Sequence, residues 1–436
     1  MTALRLGNLD VLEILDSRGR PTLQVTVTLV DGTNGVAGVP AGASTGSREA
    51  VERRDHDSDR YGGLGVTEAA AAVRGEIADT LATGQRWEGQ ADIDAALVAL
   101  DGTPNKHRLG ANAVIGVSTA CARAFANHAR IPLWQWLATP GVPPRLPVPH
   151  FNVLNGGAHA ANRLDFQEFM IAPLGAPTYA EAVRAGAETY AALRSLLTER
   201  GHATGLGDEG GFAPDVTETQ ALDLLVEAIS RAGYSAGRDG VAIALDPAAT
   251  GFHRDDAYHA GNTSRSSQDM IDWYGQLADR YPIWSIEDGL DEDDWNGWTA
   301  LTKALGERIQ LVGDDNLVTD PATITAAAHR KAGNAALIKP NQIGTVTETL
   351  AAIQAARDAG FAQMISHRSG ETMDTFVADL AVACGCGQLK SGAPARGERV
   401  AKYNRLLEIA AVEPRLPYGL PPARPGGPAT SIAARP

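Results

Sequence analysis

Cysteine is scarce in this chain of 436 residues, which contains only Cys121, Cys384 and Cys386. Three cysteines cannot build a disulfide framework, and the pair near position 385 has no neighbouring histidine or further cysteine to complete a metal site. We therefore predict that the cysteines are small buried residues and that they bind no metal.

Long apolar runs are also absent, and positive charge is in deficit. Residues 1–7 lack the apolar run of a signal peptide, and no stretch approaches the roughly 18 apolar residues of a membrane span. The net charge of −14 argues against a surface for nucleic acids or anionic membranes. We expect a cytoplasmic protein with neither partner. An anionic substrate would need locally concentrated cations or metal ions.

Hydrophobic residues make up 44% of the chain and charged residues 21%, as in globular proteins. A strand at 22–30 and helices at 67–81 and 111–128 predict an α+β domain over residues 1–139. Five prolines predict a stiff linker at 140–149. A β/α barrel is expected over 150–418, and the Pro/Gly/Ala-rich tail at 419–436 is predicted to be disordered.

The barrel prediction depends on six short apolar runs separated by amphipathic segments. The runs occupy residues 241–246, 283–287, 309–314, 335–339, 363–367 and 388–390. Each run ends on a charged or titratable residue, and successive ends lie 41, 27, 25, 28 and 23 residues apart. This is the length of a strand–helix unit, and in such barrels the active site forms at the carboxyl ends of the strands.

Three of these ends, Asp246, Glu287 and Asp314, are carboxylates. Each alone could be a helix cap or a surface charge. Together, on consecutive strand ends, they would offer the hard oxygen ligands that Mg²⁺ prefers. The sequence therefore predicts a magnesium site at the mouth of the barrel.

Positive groups follow at Lys339, His367, Arg368 and Lys390. A lysine that closes an apolar run and neighbours metal ions should have a lowered pKa, which would make it a base. Arg368 offers a planar fork for phosphate, with Ser369 as a further donor. The alternative is a pair of salt bridges at the barrel rim.

Glycine-rich segments carry further candidates. Residues 205–211 match G-x-G-x-x-G but lack the preceding strand and the following helix of a dinucleotide site, so a flexible loop that projects Glu209 is the better interpretation. His159 lies on a similar loop. Gln167 and Glu168 lie in an apolar stretch, where a glutamate needs a partner or a raised pKa.

Eight motifs, spread from about residue 5 to 410, resemble those of the enolase family. They are Asp16-Ser-Arg-Gly, Gly42-Ala-Ser-Thr-Gly, Asn155-Gly-Gly-Ala-His-Ala, Gln167-Glu-Phe-Met, Gly207-Asp-Glu-Gly-Gly, Ser285-Ile-Glu-Asp-Gly-Leu, Ser366-His-Arg-Ser-Gly-Glu-Thr and Ala401-Lys-Tyr-Asn. The resemblance implies an α+β capping domain on a modified TIM (β/α)8 barrel. It also implies a homodimer or higher oligomer, two Mg²⁺ ions per site and dehydration of 2-phosphoglycerate to phosphoenolpyruvate.

The resemblance also implies roles for single residues. Asp246, Glu287 and Asp314 would hold one Mg²⁺, and Ser44 would help to hold the second, which arrives with substrate. Lys339 would be the general base and Glu209 the general acid, supported by Glu168. The substrate-binding set would be His159, Gln167, Glu168, His367, Arg368, Ser369 and Lys390.

Four residues depart from the family pattern, namely Ala41, Pro247, Asn316 and Pro340. They lie beside the metal ligands and the base, so an altered substrate is an alternative, as in a carboxyphosphonoenolpyruvate synthase-like enzyme of phosphonate biosynthesis. A non-catalytic binding protein on the same fold predicts the loss of a base or metal ligand, and none is missing.

Overall fold

The computed structural model describes residues 4–43, 45–261 and 263–422. Its apolar side chains form two large cores. One core consists of residues between Leu4 and Phe125, and the other of residues between Ala122 and Ile409. This division matches the sequence-based expectation of a small domain followed by a barrel.

The small domain is an antiparallel sheet covered by helices. The strands pair in the order β1 (Leu6–Leu15), β2 (Pro21–Leu29), β3 (Asn34–Gly38). The helices are α1 (Thr67–Ala72), α2 (Ala78–Leu81), α3 (Gln90–Asp101), α4 (Ala111–Ala129) and α5 (Leu133–Trp136). A π-helical turn, Val73–Ile77, joins α1 to α2. The predicted strand at 22–30 is β2, whereas β1 and β3 were not predicted.

Helix α4 packs so closely on this sheet that only glycine fits at the contact. A Cβ atom on Gly116 would lie 2.7 Å from a methyl group of Val25. Nearly every residue from Ala111 to Ala126 is buried. The helix therefore lies between the sheet and the barrel, and both contribute to its stability by apolar burial.

The second domain is a closed barrel of eight strands in the order β10-β11-β12-β13-β14-β4-β5-β6. The strands are β4 (Val148–Asn155), β5 (Glu168–Ala172), β6 (Ala242–Asp246), β10 (Ile283–Glu287), β11 (Gln310–Gly313), β12 (Ala335–Ile338), β13 (Ala362–Ser366) and β14 (Gln388–Lys390). A small separate sheet contains β7 (His253–Arg254), β8 (Ala257–Ala260) and β9 (Thr263–Arg265). All six predicted barrel strands are present.

Strand β5 runs antiparallel to both of its neighbours, and all the other barrel pairs are parallel. Glu168, its first residue, therefore pairs with Asn155 and Asp246, the last residues of β4 and β6. The reversal places the start of β5 at the same rim as the carboxyl ends of the other strands.

Nine α-helices in the described ranges belong to the barrel domain. They are α6 (Tyr179–Glu199), α7 (Glu218–Arg231), α8 (Ser267–Arg280), α9 (Trp295–Leu305), α10 (Pro321–Arg330), α11 (Pro340–Ile343), α12 (Val346–Asp358), α13 (Phe376–Ala383) and α14 (Gly397–Val412). Helix α8 begins with a reciprocal cap between Ser266 and Asp269. None of the helices in the described part of the chain is long and apolar enough to cross a bilayer.

The inside of the barrel is filled and not open. Two small apolar clusters, separate from the helix-facing core, contain alternate residues of the strands, such as Ala242 and Ala244 of β6 or Ala335 and Leu337 of β12. Toward the amino-terminal ends, Gln310 and Gln388 exchange two amide hydrogen bonds of 2.9 Å across the lumen. The apolar layers and this amide pair close the barrel.

The linker, the cysteines and the tail are three further features that were predicted from the sequence. Strand β4 begins at Val148, within the predicted linker of residues 140–149. All three cysteines are buried, as predicted. Residues 423–436 lie outside the described part of the chain, so disorder of the tail stays a prediction.

Candidate active site

Charged side chains meet at the carboxyl rim of the barrel, as the sequence predicted. Lys390, at the end of β14, lies among three carboxylates. Its Nζ atom is 2.7 Å from Glu287 Oε1, 3.1 Å from Asp246 Oδ2 and 3.2 Å from Glu168 Oε1. All four side chains are buried, and the three carboxylates hold the pKa of Lys390 well above its usual value against the effect of burial.

Asp314 follows β11 and lies beside Lys339, which follows β12. Lys339 Nζ donates to Asp314 Oδ2, and Gln342 Nε2 donates to Asp314 Oδ1 at 2.8 Å. Burial alone would lower the pKa of Lys339, but the Asp314 carboxylate raises it. The sequence-based expectation of a lowered pKa is therefore not met by this ion pair. A cation on Asp314 would remove the contribution that raises the pKa.

The three predicted magnesium ligands fit a hard cation. Asp246, Glu287 and Asp314 offer only oxygen donors. Glu287 Oε2 is buried and has no hydrogen-bond partner among the described residues. Burial and the Asp246 charge raise the pKa of Glu287 well above its usual value, which is the strain that a bound cation relieves.

Two further acids, Asp288 and Asp315, lie close to Asp314. Asp288 accepts the backbone N–H groups of Asp314 and Asp315 at 2.8 and 3.0 Å, so it fixes the turn that presents Asp314. Burial, with the neighbouring Asp314, raises the pKa of Asp315 to about 7. Sequence reasoning missed Asp288, although it follows Glu287 directly.

Glu209 and Glu168 both lie beside His159. His159 Nε2 is 3.5 Å from Glu209 Oε1 and 3.7 Å from Glu168 Oε1, and all three side chains are buried. Asn152 of β4 donates to Glu209 Oε2 at 3.0 Å. The flexible loop predicted at residues 205–211 thus projects Glu209 into the barrel mouth.

The two glutamates differ in proton affinity. Burial and the Glu209 charge raise the pKa of Glu168. Burial would also raise the pKa of Glu209, but His367 and His159 outweigh it and lower that pKa well below its usual value. Glu209 therefore favours the ionised form more strongly than Glu168, and burial would lower the pKa of the adjacent His159 but the two carboxylates raise it.

His367 is held in one tautomer by an arginine that sequence reasoning missed. Arg399 Nη1 lies 2.7 Å from His367 Nδ1 and also donates to the carbonyl of Arg368 at 2.7 Å. A guanidinium only donates, so Nδ1 accepts and Nε2 carries the proton, 3.2 Å from Glu209 Oε2. Burial, with Arg399, lowers the pKa of His367 to about 4.

Arg368, the predicted phosphate ligand, is buried and contacts the small domain. Its Nη1 atom donates to Glu49 Oε2 at 2.8 Å and to Asn341 Oδ1 at 3.0 Å. A Cβ atom on Gly42 would lie 2.1 Å from Arg368 Nη2, so only glycine fits in the loop at that point. The small domain therefore supplies part of the wall of the site.

The remaining predicted residues have less distinct surroundings. Gln167 and Ser369 are buried at the same rim, and the Ser369 carbonyl accepts from Arg399. Ser44 lies outside the described residues. Sequence reasoning gave no signal for Glu49 or Arg399, because a lone charge on a loop or an amphipathic helix does not identify its partner.

One of the four unusual residues is explained by the backbone. Pro340 is the first residue of α11, where a missing N–H costs nothing, and Lys339 before it is extended with φ −126° and ψ 108°, as predicted. Asn316 differs. It is 1% exposed, and neither amide atom has a hydrogen-bond partner in the described ranges.

Comparison with known proteins agrees with this geometry. Residues 7–137 match the family "Enolase, N-terminal domain" and residues 144–413 match "Enolase, C-terminal TIM barrel domain". A protein named "Enolase" from Acidothermus cellulolyticus is 57% identical over 91% of this chain and 92% of its own length. Another "Enolase", from Rubrobacter xylanophilus, is 54% identical over 95% and 98%.

A third relative, "Enolase 1" of Methylococcus capsulatus, is 54% identical over 93% of this chain and 96% of its own length. The family matches together cover both domains. With the antiparallel second barrel strand and the acid-rich rim already described, they lead to one conclusion: the chain belongs to the enolase family.

Proposed function

We propose that this protein catalyses the reversible, magnesium-dependent dehydration of 2-phospho-D-glycerate to phosphoenolpyruvate, a reaction of glycolysis and gluconeogenesis. One observation carries the proposal. Lys339, which is paired with Asp314, and the acids Glu168 and Glu209 are all close enough to Lys390 to interact with its charge. The proposed base and the proposed acid thus both adjoin Lys390, the cation that would bind the substrate carboxylate.

Asp246, Glu287 and Asp314 would hold one Mg²⁺, and Ser44 would contribute to a second. When bound, these cations would supply positive charge to the substrate carboxylate, whose charge grows when the C2 proton is lost. Lys390 adds a further cation to that carboxylate. Its three acidic neighbours fix its position, so it needs no reorganisation during the reaction.

Lys339 would take the C2 proton on its Nζ atom. It must be neutral to do so, and its contact with Asp314 opposes this by raising its pKa. Lys339 therefore becomes a base when the charge of Asp314 is engaged elsewhere. Thr319 holds the backbone N–H of Lys339 at 2.9 Å, which fixes the start of the side chain.

Glu209 would deliver a proton to the departing C3 hydroxyl. Its own pKa is low, so the proton would be drawn from the neighbouring Glu168 or His159, whose pKa values are raised. His159 lies within 3.7 Å of both and connects them. His367, fixed with its proton on Nε2, orients Glu209 from the other side.

The phosphate would be bound by Arg368, Ser369 and His159, with Gln167 and His367 lining the substrate. Arg368 already offers its fork to Glu49. Glu49 and Asn341 hold this buried guanidinium in one position, and its planar fork has the shape that recognition of a phosphate requires.

The test is the ultraviolet absorbance of phosphoenolpyruvate after purified protein meets 2-phosphoglycerate and Mg²⁺. We expect rapid formation that a chelator abolishes and that Lys339→Ala and Glu209→Gln each reduce by at least about a thousandfold, the range for loss of catalytic groups. Lys303→Ala, at an exposed position, is the control. Circular dichroism checks folding. Wild-type turnover from either active-site variant would refute the assigned roles.

An altered substrate is the second candidate, because Asn316 brings an unpaired buried amide next to Asp314 and Asp315. Folded protein that binds Mg²⁺ but does not turn over 2-phosphoglycerate would favour a carboxyphosphonoenolpyruvate synthase-like activity over the first proposal.

We also propose that the protein acts in the cytoplasm as a homodimer or higher oligomer. The family membership supports both statements. Light scattering coupled to size-exclusion chromatography measures the oligomeric state, and a monomer at micromolar concentration would contradict it.

A further inference from the structure

A second cavity lies at the opposite end of the barrel from the active site. Its volume is about 390 Å³, within the range of small-molecule pockets. The floor contains Trp284 and the amide pair Gln310–Gln388, which lie at the amino-terminal ends of their strands. Apolar side chains, including Ile309 and Phe361, form part of the wall.

Three arginines line this cavity, and no carboxylate does so among the described residues. Arg357 is buried and donates to the carbonyl of Cys384 at 2.7 Å. Arg145 and Arg238 are half-buried, and neither has an acidic partner within salt-bridge distance in the described part of the chain. Burial lowers the pKa of both.

The contacts of Arg145 and Arg238 leave most of their charge uncompensated. Arg145 reaches only the carbonyls of Tyr418 and Gly419, at 3.4 and 3.5 Å. Arg238 donates to the carbonyl of Arg308 at 3.0 Å and stacks over the ring of Trp284 at 5.5 Å. A guanidinium has five donors, so both retain free donor capacity toward the cavity.

This arrangement is unusual in a chain with a net charge of −14. At the opposite rim of the barrel, by contrast, buried Arg368 contacts the carboxylate of Glu49. Among the described residues, the cavity wall supplies no acidic side chain to balance Arg145 and Arg238.

We propose that this cavity is a binding site for a small organic phosphate of about nucleotide size, distinct from the active site. Its phosphate contacts Arg145 and Arg238, and its apolar or ring-containing part lies against the wall formed by Ile309 and Phe361. Arginine is suited to this chemistry because its planar fork forms two parallel hydrogen bonds to phosphate oxygens.

The experiment is isothermal titration calorimetry with AMP, inorganic phosphate and adenosine as separate probes. A chelator is present throughout, so that metal-dependent binding at the active site does not contribute. The full-length protein is compared with Arg145→Gln, Arg238→Gln and the matched control Arg415→Gln, which removes the same charge from an exposed position. Arg368→Gln reports on phosphate binding at the active site.

We expect AMP to bind more tightly than either phosphate or adenosine. Arg145→Gln and Arg238→Gln should each weaken AMP binding by about tenfold or more, as expected for the loss of a charged bidentate contact. Arg415→Gln and Arg368→Gln should leave it unchanged. Turnover of the Arg145 and Arg238 variants checks that they are folded.

Three results would overturn the proposal. The first is no AMP binding at millimolar concentration. The second is equal affinity in the wild type and in both cavity variants. The third is loss of binding in Arg368→Gln alone, which would assign the phosphate to the active site. None of these outcomes bears on dehydration of 2-phosphoglycerate, which is measured separately.

Discussion

Replacing Lys390 with methionine tests whether one cation holds the acidic rim together. The side chain keeps a similar length but loses its charge, and Glu287, Asp246 and Glu168 lose their common partner at 2.7, 3.1 and 3.2 Å. All four groups are buried, so solvent does not screen the loss.

The expected loss in the free energy of unfolding is the difference between opposing contributions. At an effective dielectric constant of about 20, a contact of about 3 Å between unit charges is worth about 5 kcal/mol. The variant avoids the free-energy cost of desolvating the lysine, and one of the carboxylates can take up a proton. Both effects offset much of the lost attraction. Breaking buried ion pairs by removing one partner costs about 3–5 kcal/mol, and we expect the Lys390→Met variant to fall in this range.

The assay is urea unfolding followed by far-ultraviolet circular dichroism, with a chelator present. Lys303→Met, at an exposed position, should change the free energy of unfolding by less than about 0.5 kcal/mol. Added Mg²⁺ should stabilise Lys390→Met more than the wild type, because the unpaired carboxylates attract it. A loss of less than about 1 kcal/mol in chelator would refute the view that Lys390 compensates the three acids.

Three further predictions concern other side chains. Asn316→Leu should raise the free energy of unfolding by about 1–2 kcal/mol, because it removes a buried unpaired amide, and should preserve turnover; loss of turnover would implicate Asn316 in substrate binding. Burial lowers the pKa of His150 to about 4. As pH falls, the imidazole is therefore protonated in the unfolded chain before it is protonated in the folded protein. The free energy of unfolding of the wild type should fall by about 3 kcal/mol relative to that of His150→Gln between pH 7 and pH 4. Urea unfolding midpoints measure this difference. Burial would raise the pKa of Asp374, but Arg123 lowers it. The carboxylate therefore adds to the free energy of unfolding at any pH above its pKa in the unfolded chain, and this stabilisation is lost as pH falls through its pKa in the folded protein. Asp374→Asn should thus cost about 3 kcal/mol at neutral pH and progressively less below about pH 4; a pH-independent difference would contradict this.

The sequence predicted the barrel because its strands end on charged residues at regular spacing. That regularity depends on parallel strand–helix units, and it identified β6 and β10 to β14 but neither β4 nor β5. Strand β4 contains Pro149 and follows a proline-rich segment, so it resembles a linker. The reversed direction of β5 leaves no trace in local composition, since pairing direction is a property of neighbours.

The sequence predicted which residues lie at the site better than it predicted the contacts between them. The rim residues Asp246, Glu287, Lys339 and Lys390 were identified from type and position. Asp246 and Glu287 contact Lys390, and Lys339 contacts Asp314. The raised pKa of Lys339 was not predicted, because it depends on a direct contact with Asp314. The contact between Arg368 and Glu49 joins residues 319 positions apart, a separation over which sequence patterns say nothing about distance.

The filled lumen of the barrel affects how the protein can evolve. The apolar layers and the Gln310–Gln388 pair stand between the two mouths of the barrel. A ligand at the amino-terminal mouth therefore has no direct contact with the residues at the carboxyl rim. One scaffold can thus acquire a second binding role without replacing any residue of the first site.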